Sequence, residues 1–254
     1  AVQALTFGMA PADLVRSHLP TGVRAVSRRV PARALHHCWS RWTEPSLEWF
    51  TRSVDLFHAT NFVAPPTRRA AVVLTIHDLT YLRYPQTVSR ASLAYRDLVP
   101  ATLRRGAVVC TDSRAVADEV IDAYGVSEDR IRVAHLGVDP RWFEQDQADT
   151  PPVWPTLADD YIVAVGTVEP RKNLGVVMAA YRVAEATGTP LPTLVIVGAA
   201  GWGTPPDLTG LPPGRVVVTG HLPDAEVRRI VAGARVLVFP SLYEGFGLPA
   251  GRQG

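Results

Sequence analysis

The sequence predicts an α/β protein made of two doubly wound domains. Short apolar segments rich in β-branched residues alternate with helix-patterned segments. This alternation runs on both sides of a polar stretch that carries several prolines, and 254 residues are enough for two ordinary domains. We therefore expect two parallel sheets covered by helices, with the carboxyl ends of their strands facing a shared cleft.

Residues 1–143 are predicted to form the first domain. Candidate strands are residues 2–7, 54–58, 71–76, 107–111 and 131–136, and candidate helices are residues 89–105 and 114–124. Ser113 has the hydroxyl expected of a helix N-cap, and Gly125 is suited to end the same helix. Alternation of this kind places polar side chains at strand ends, here His77, Asp78 and Ser113.

Residues 144–158 are predicted to be a linker, because they are polar, contain three prolines and show no periodicity. Residues 159–254 are then the second domain. Its candidate strands are residues 161–165, 193–197, 215–219 and 235–239, and its candidate helices are residues 173–186 and 224–232. The glycine-rich segment 198–203 precedes two prolines and is interpreted as a loop.

Composition excludes several classes of function. The hydrophobic content of 47% and charged content of 20% are typical of an ordinary core-forming protein. A net charge of +2 is too small to indicate a nucleic-acid partner. Cys38 and Cys110 lie far apart, which fits a reduced cytoplasmic compartment rather than a disulfide framework. No apolar run approaches a membrane span, and no cluster of residues has metal-ligand spacing.

Residues 23–42 are basic and contain Trp39 and Trp42. Such a stretch can contact an anionic membrane surface peripherally. The alternative, which we favour, is a solvated helix with its tryptophans turned inward.

The apolar run 161–165 ends abruptly at Gly166, which is typical of a buried parallel strand. Arg171 and Lys172 stand where the next helix is predicted to open. A helix start offers free N–H groups and partial positive charge, so these cations predict a site for an anion such as phosphate. The alternative is that both cations only solvate the start of the helix.

Residues 241–250 place Glu244 beside Gly245 and Gly247, after the last predicted strand. The pattern Gly245-x-Gly247-x-x-Ala250 also fits a loose dinucleotide fingerprint, which would indicate an NAD-dependent oxidoreductase. The acidic residue that would support this reading is expected about 20 positions later, beyond Gly254.

Three segments of the second half are Gly166-Thr-Val-Glu-Pro-Arg-Lys-Asn173, Gly220-His-Leu-Pro-Asp224 and Pro240-Ser-Leu-Tyr-Glu-Gly-Phe-Gly-Leu-Pro249. Together they resemble the donor-binding, Rossmann-like half of family 4 glycosyltransferases, which have the GT-B fold. The first half is similar to the acceptor domain of that family through Val54-Asp-Leu-Phe-His-Ala-Thr60, Thr75-Ile-His-Asp-Leu79 and Leu136-Gly-Val-Asp139. The resemblance covers nearly the whole chain.

The resemblance implies a retaining transfer of a mannose- or glucose-type hexose from a nucleotide-diphosphate-sugar to a glycan or lipid-linked acceptor. It implies no essential metal and no other cofactor. The phosphate-binding lysine of the family falls on Lys172, and the implied catalytic residues are His77 and Glu244. The other implied binding residues are Gly166 and Arg171 at the phosphates, Gly220 and Leu222 at the base, and Gly245, Phe246, Gly247 and Leu248 at the nucleotide or the sugar.

Physical chemistry agrees with these implied roles. Breaking the anomeric bond leaves negative charge on the diphosphate, which fixed cations can stabilise in place of a metal. Retaining hydrolases use two carboxylates at ~5–5.5 Å, whereas Glu244 is the single candidate here. We therefore expect substitution on one face of the sugar, assisted by the leaving group.

The sequence departs from the family pattern at several positions. Thr167 stands where many relatives have an arginine, and Arg252 stands where the second glutamate of the family's Glu-x₇-Glu motif is expected. The family's first strand and glycine-rich loop would precede Ala1. We therefore expect a fragment, with its second domain incomplete, that is poorly stable and inactive alone. The alternative function is a catalytically dead nucleotide-binding module.

Overall fold

The computed structural model describes residues 2–8, 16–17, 19–143 and 160–248. The chain divides into two compact units, residues 1–79 with 90–135 and residues 80–89 with 136–254. The predicted linker, residues 144–158, lies outside the described residues. In the part that is described, no helix has the length and apolar character needed to cross a membrane.

Within the described residues, the strands are all parallel and form three sheets. They are β1 (Gln3–Phe7), β2 (Arg24–Arg28), β3 (Leu56–Ala59), β4 (Ala71–Ile76), β5 (Val108–Thr111), β6 (Ile131–Val133), β7 (Tyr161–Val165), β8 (Thr193–Val197), β9 (Val216–Gly220) and β10 (Val236–Leu237). The first unit has a two-stranded sheet, β1-β2, and a four-stranded sheet in the order β3-β4-β5-β6. The second unit has one sheet in the order β10-β7-β8-β9.

The α-helices cover the faces of these sheets or join their strands. They are α1 (Ala32–Arg41), α2 (Thr80–Arg83), α3 (Tyr95–Arg104), α4 (Arg114–Tyr124), α5 (Leu174–Thr187) and α6 (Asp224–Gly233). In the second unit, buried side chains lie on both faces of the sheet. One cluster joins β7 and β8 to α6, and the other joins the same strands to α5. Strands covered on both faces explain the continuous apolar runs from which they were predicted.

Elements with strong local signals begin and end where predicted. The bounds of β4, β7 and β8 agree with the predicted segments. The Ser113 hydroxyl accepts the Val116 N–H at 3.2 Å, and Gly125 ends α4 with φ 64°. Both ends of α4 are therefore determined by capping residues that the sequence displays.

Residues 23–42 were predicted to form one helix with its tryptophans turned inward. That prediction was wrong for the first third of the segment and for Trp42. Residues 24–28 form β2, which pairs with β1, and the helix begins only after Pro31. Trp39 is 2% exposed, and its indole N–H donates to the Pro45 carbonyl, whereas Trp42 is 57% exposed. The helix has ten residues and packs its buried side chains Leu35 and Trp39 against the core. Trp42 follows the last helical residue and is exposed.

Other boundaries also differ from the predictions. The helix expected from residue 89 begins as α3 at Tyr95, after a 3-10 turn over Ser92–Ala94. The last strand of the first unit stops at Val133, where its pairing with β5 ends at Thr111. Strand β10 has two residues, although N–H groups of Arg235 and Val238 continue its pairing with β7. Pairing partners, which are distant in sequence, decide where these elements end.

Candidate functional site

The carboxyl end of β7 turns at Gly166, which has φ 144°. Its N–H donates to the Val197 carbonyl of β8 at 2.9 Å, so the turn begins directly from the paired strand. A Cβ on Gly166 would lie 3.1 Å from the Lys172 Cε. Because residue 166 has no side chain, the aliphatic part of Lys172 can lie across the end of the strand.

The α-helix begins within one residue of the predicted segment 173–186, but Arg171 and Lys172 do not belong to it. Residues Pro170–Lys172 form a 3-10 turn, Asn173 has φ 52°, and α5 begins at Leu174. Arg171 and Lys172 therefore lie in the turn before the helix, and the prediction that they open the helix was wrong. Pro170 at the start of this turn and the positive φ of Asn173 explain the difference, because both interrupt a regular helical start.

Lys172 and Arg171 both contact Glu244. The Lys172 Nζ lies 2.6 Å from Glu244 Oε1, and the Arg171 Nη1 lies 2.7 Å from Glu244 Oε2. Lys172 also lies over the ring of Phe239, 5.3 Å from its centroid. The fold thus brings Glu244 to the two adjacent cations, which the sequence singled out apart from it.

Glu169 is a further member of this cluster and was not predicted. Its carboxylate side chain is only 5% exposed and lies 2.8 Å from Arg171 Nη2. Two carboxylates and two cations therefore alternate in the order Glu169, Arg171, Glu244, Lys172. A sequence signal existed, because Glu169 precedes Pro170 in the turn after a buried strand, but a polar turn residue is usually solvent-exposed.

The loop that carries Glu244 is bound to the turn after β7 through backbone groups as well. The Leu242 N–H donates to the Arg171 carbonyl at 2.9 Å, and the Asn173 side-chain amide donates to the Pro240 carbonyl at 3.2 Å. The Arg171 Nη1 donates to the Tyr243 carbonyl at 2.8 Å. Predicted residues Gly245, Phe246, Gly247 and Leu248 follow in this loop and are all half-buried.

The electrostatic environment keeps Glu244 ionised. Burial on its own would raise the pKa of Glu244, but hydrogen bonds from Lys172 and Arg171, together with the charge of Lys172, outweigh it and lower that pKa. The ionised carboxylate of Glu244 can accept further hydrogen bonds, and the cations that contact it, Arg171 and Lys172, are of a kind that can bind an anion.

Gly198 and Gly220 lie at the carboxyl ends of β8 and β9, beside the turn at Gly166. A Cβ on Gly198 would lie 2.0 Å from the Gly166 carbonyl oxygen, so residue 198 has room for a hydrogen only. The Gly198 N–H donates to the Gly220 carbonyl at 3.0 Å. The segment 198–203 is a loop, as predicted, and Gly220 lies at the strand end. Leu222 packs against the core cluster beside α6.

His77 follows β4 in the first unit, and both of its ring nitrogens have acceptors. Nδ1 lies 2.7 Å from Asp112 Oδ2, and Nε2 lies 2.9 Å from the Thr60 carbonyl oxygen. Asp112 is buried and follows β5, the strand beside β4. Asp112 was not predicted, although its place directly after a strand and before the Ser113 cap was a usable signal.

Structural comparison shows that the chain has the fold of the GT-B glycosyltransferases. The Anabaena protein HepE, solved in complex with UDP, aligns over 94% of this chain and 67% of its own, with a TM-score of 0.53 and 17% identity. A glycosyltransferase from Rickettsia africae aligns over 96% of this chain and 66% of its own, with a TM-score of 0.54 and 14% identity. Similarity at this level of identity shows the shared fold.

Sequence comparison identifies the family. The model of Glycosyltransferase Family 4 matches residues 3–142, and that of Glycosyl transferases group 1 matches residues 159–251. The first match covers more than half of the chain, so the chain belongs to Glycosyltransferase Family 4.

Among curated relatives, O-antigen chain mannosyltransferase B of Escherichia coli is 28% identical over 204 residues, which are 76% of this chain and 53% of the relative. O-antigen chain mannosyltransferase RfbU of Salmonella typhimurium is 24% identical over 186 residues, 69% of this chain and 47% of the relative. The chain thus spans about half the length of these curated relatives.

The structure brings together the second-unit residues Gly166, Arg171, Lys172 and Glu244, and adds Glu169 and Gly198 to them. It places His77 in the first unit, beside Asp112. Arg252, the residue at the expected second glutamate, lies outside the described residues, as does Ala250 of the dinucleotide pattern. Among the residues described, no group of three or more His, Cys, Asp or Glu side chains is arranged to hold a metal ion.

Proposed function

We propose that the chain is part of a retaining glycosyltransferase that moves a hexose from a nucleotide-diphosphate-sugar to a glycan or lipid-linked acceptor. The observation that carries the proposal is the contact of Lys172 with Glu244 at the carboxyl end of a parallel strand. Family membership supports the reaction class, and the mannosyltransferase relatives favour mannose over glucose as the sugar. The UDP complex of HepE supports a nucleoside diphosphate as the leaving group.

In the proposed reaction, the bond between the anomeric carbon and the diphosphate oxygen breaks, and a bond to the acceptor oxygen forms on the same face. The proton of the acceptor hydroxyl passes to the leaving phosphate oxygen. Lys172 stabilises the negative charge that develops on the diphosphate, a role that needs no metal or other cofactor. Glu244 accepts hydrogen bonds from the sugar. His77 is the second proposed catalytic residue, and Asp112 and the Thr60 carbonyl hold its ring.

The remaining proposed contacts follow from position. Backbone groups at Gly166 approach the phosphates, because no side chain shields them. Gly220 and the residues up to Leu222 lie beside the base, and the loop from Gly245 to Leu248 lies beside the sugar. Nucleic acid is not a proposed partner, since the net charge is only +2.

We place the protein on the cytoplasmic side, with peripheral contact to anionic membrane where its acceptor is lipid-linked. Cys38 and Cys110 are both free thiols, which suits a reducing compartment. Trp42 and Trp49 are exposed in the first unit, and Trp42 directly follows the exposed cation Arg41. Exposed tryptophans beside cations suit the interface of an anionic bilayer.

The test is titration of the chain with UDP, GDP and ADP and with the matching monophosphates, followed by sugar transfer from the diphosphate donor that binds. We expect Lys172→Ala to reduce transfer about 10²–10³-fold, as for one preorganised charge-stabilising group. We expect Glu244→Gln to reduce transfer while nucleotide affinity is largely kept. Transfer within about threefold of the parent for Lys172→Ala would contradict the phosphate role.

Two other outcomes would replace the proposal. Nucleoside diphosphate binding with no transfer to any acceptor would favour the nucleotide-binding module. Binding of NAD in preference to every nucleoside diphosphate would favour the oxidoreductase reading of Gly245 and Gly247.

A further inference from the structure

We infer that Glu169 and Arg171 form a positioning pair that holds the loop of residues 241–248, which carries Glu244. Lys172 is then the cation that leaves Glu244 and binds the diphosphate of the donor. This inference rests on the proposed function for the nucleotide and deepens it. It assigns different tasks to two adjacent cations that the sequence treats alike. It also gives a positioning role to the buried carboxylate of Glu169, which is not among the proposed substrate contacts.

The contacts of Arg171 commit its guanidinium to the protein. Nε and Nη2 lie 3.1 Å and 2.8 Å from Glu169 Oε1. Nη1 donates to Glu244 Oε2 and to the Tyr243 carbonyl. All three nitrogens thus have protein acceptors on two segments that are about seventy residues apart in sequence, because Arg171 and Tyr243 are separated by 72 positions. Moving Arg171 to a phosphate would break contacts with both segments.

Lys172 makes contacts that are easier to exchange. Its ammonium group bonds to Glu244 Oε1 and lies over the face of Phe239. An ammonium group is a point charge on a flexible stem, and its donors rotate, so it can turn toward a phosphate without moving the backbone. The Lys172 side chain is 13% exposed, and its stem crosses Gly166, the residue at which a phosphate is proposed to approach.

Glu169 explains why the two cations differ. Its buried carboxylate pairs with Nε and Nη2 of Arg171, whereas Glu244 contacts Nη1. In this cluster of two cations and two carboxylates, the charge of Glu169 balances that of Arg171, and the charge of Lys172 balances that of Glu244. When Lys172 turns to the diphosphate, Oε2 of Glu244 stays with Arg171. The other oxygen, Oε1, is then released to accept a hydrogen bond from a sugar hydroxyl. Donor binding and exposure of the acceptor oxygen are therefore coupled through one lysine.

Two measurements test the inference on the full chain. The first is amide hydrogen exchange over residues 241–248 without ligand. Because the Leu242 N–H bonds to the Arg171 carbonyl, its exchange reports on the contact between turn and loop. We expect Arg171→Gln and Glu169→Gln to accelerate exchange about tenfold or more, and Lys172→Gln to change it less than about threefold. The matched controls are Arg182→Gln and Glu185→Gln, which lose the ion pairs to Asp207 and Arg215 elsewhere in the same unit.

The second measurement is the ratio of affinities for UDP or GDP over the matching monophosphate. We expect Lys172→Gln to reduce this ratio to about one, so that the diphosphate is no longer preferred. In Arg171→Gln and Glu169→Gln the ratio should stay within about threefold of the parent's ratio. Loss of the ratio in Arg171→Gln as large as in Lys172→Gln would identify Arg171 as a phosphate ligand and overturn the inference. Unchanged exchange in both Arg171→Gln and Glu169→Gln would also overturn it.

Failure of the proposed function gives a different pattern. A parent protein with no preference for the diphosphates would overturn that function and the task of Lys172, whereas the exchange result still decides whether Glu169 and Arg171 hold the loop. Circular dichroism and thermal unfolding of each variant establish that a faster exchange is local rather than global. A variant that is globally unfolded is replaced by Arg171→Lys, which keeps the charge but cannot contact both segments.

Discussion

Replacement of Gly198 by alanine is expected to destabilise the second unit and displace the turn that carries Lys172. The new Cβ would lie 2.0 Å from the Gly166 carbonyl oxygen and 2.6 Å from its carbon. Neither atom belongs to a flexible side chain, so the backbone of β7 or β8 must shift. Gly198 also has φ 159°, a conformation that residues with a Cβ rarely adopt.

The expected loss follows from these two effects. Overpacking against rigid neighbours costs about 1–3 kcal/mol, and forcing a residue with a Cβ into an unfavourable backbone conformation adds about 1–2 kcal/mol. The free energy of unfolding of the second unit should therefore fall by about 2–5 kcal/mol. Because Gly166 moves with the strand end, nucleoside diphosphate affinity should fall in the same variant.

Urea unfolding followed by circular dichroism and tryptophan fluorescence measures this loss. The matched control is Gly210→Ala, since Gly210 also has a positive φ, of 81°, but a Cβ there would meet nothing within 4 Å. The control adds a Cβ at a positive φ without the collision, so Gly198→Ala should exceed it by about 1–3 kcal/mol. Equal losses in the two variants would refute the reasoning that close contact with Gly166 excludes a side chain.

Three further predictions follow from the ion pairs and the surface. Asp112→Asn removes the carboxylate that accepts from His77, so we expect sugar transfer to fall about tenfold with nucleotide affinity unchanged; unchanged transfer would contradict a positioning task for Asp112. Since the pKa of Glu244 is below its ordinary value of 4.5, its contribution to stability is complete above that pH and is lost as pH falls through the folded-state pKa. The difference in unfolding free energy between the parent and Glu244→Gln should therefore shrink on acidification below about pH 4.5, and a constant difference would contradict the contact with Lys172. Trp42→Ala should weaken co-sedimentation with anionic vesicles, and the parent's binding should fall as salt rises, whereas indifference to both anionic lipid and salt would remove the membrane proposal.

Much of the fold follows from local sequence, as the two ends of α4 illustrate. Ser113 supplies the hydroxyl that a helix start needs, and Gly125 supplies the positive φ that its end needs. The strands at 71–76, 161–165 and 193–197 were likewise predicted to the residue, because continuous apolar runs are required where both faces of a sheet are covered. The glycosyltransferase family and its GT-B fold were also evident from motifs within each half.

Other features depend on partners that are distant in sequence. Residues 24–28 form a strand because β1 offers them a pairing edge, although their charges alone favour a solvated helix. By contrast, the start of α5 at Leu174 rather than at Arg171 has a local cause, since Pro170 and Asn173 impose a turn there.

The composition of the site was determined only by the tertiary structure. The sequence by itself identified Lys172, Arg171 and Glu244 as polar residues after strands, and His77 as one more. It could not show that one carboxylate lies between both cations, that buried Glu169 holds Arg171, or that Asp112 holds His77. Parallel strands bring their carboxyl ends to one edge of a sheet, so residues separated by 72 positions become ion-pair partners. Ion pairing depends on distance and burial, and both are properties of the folded chain.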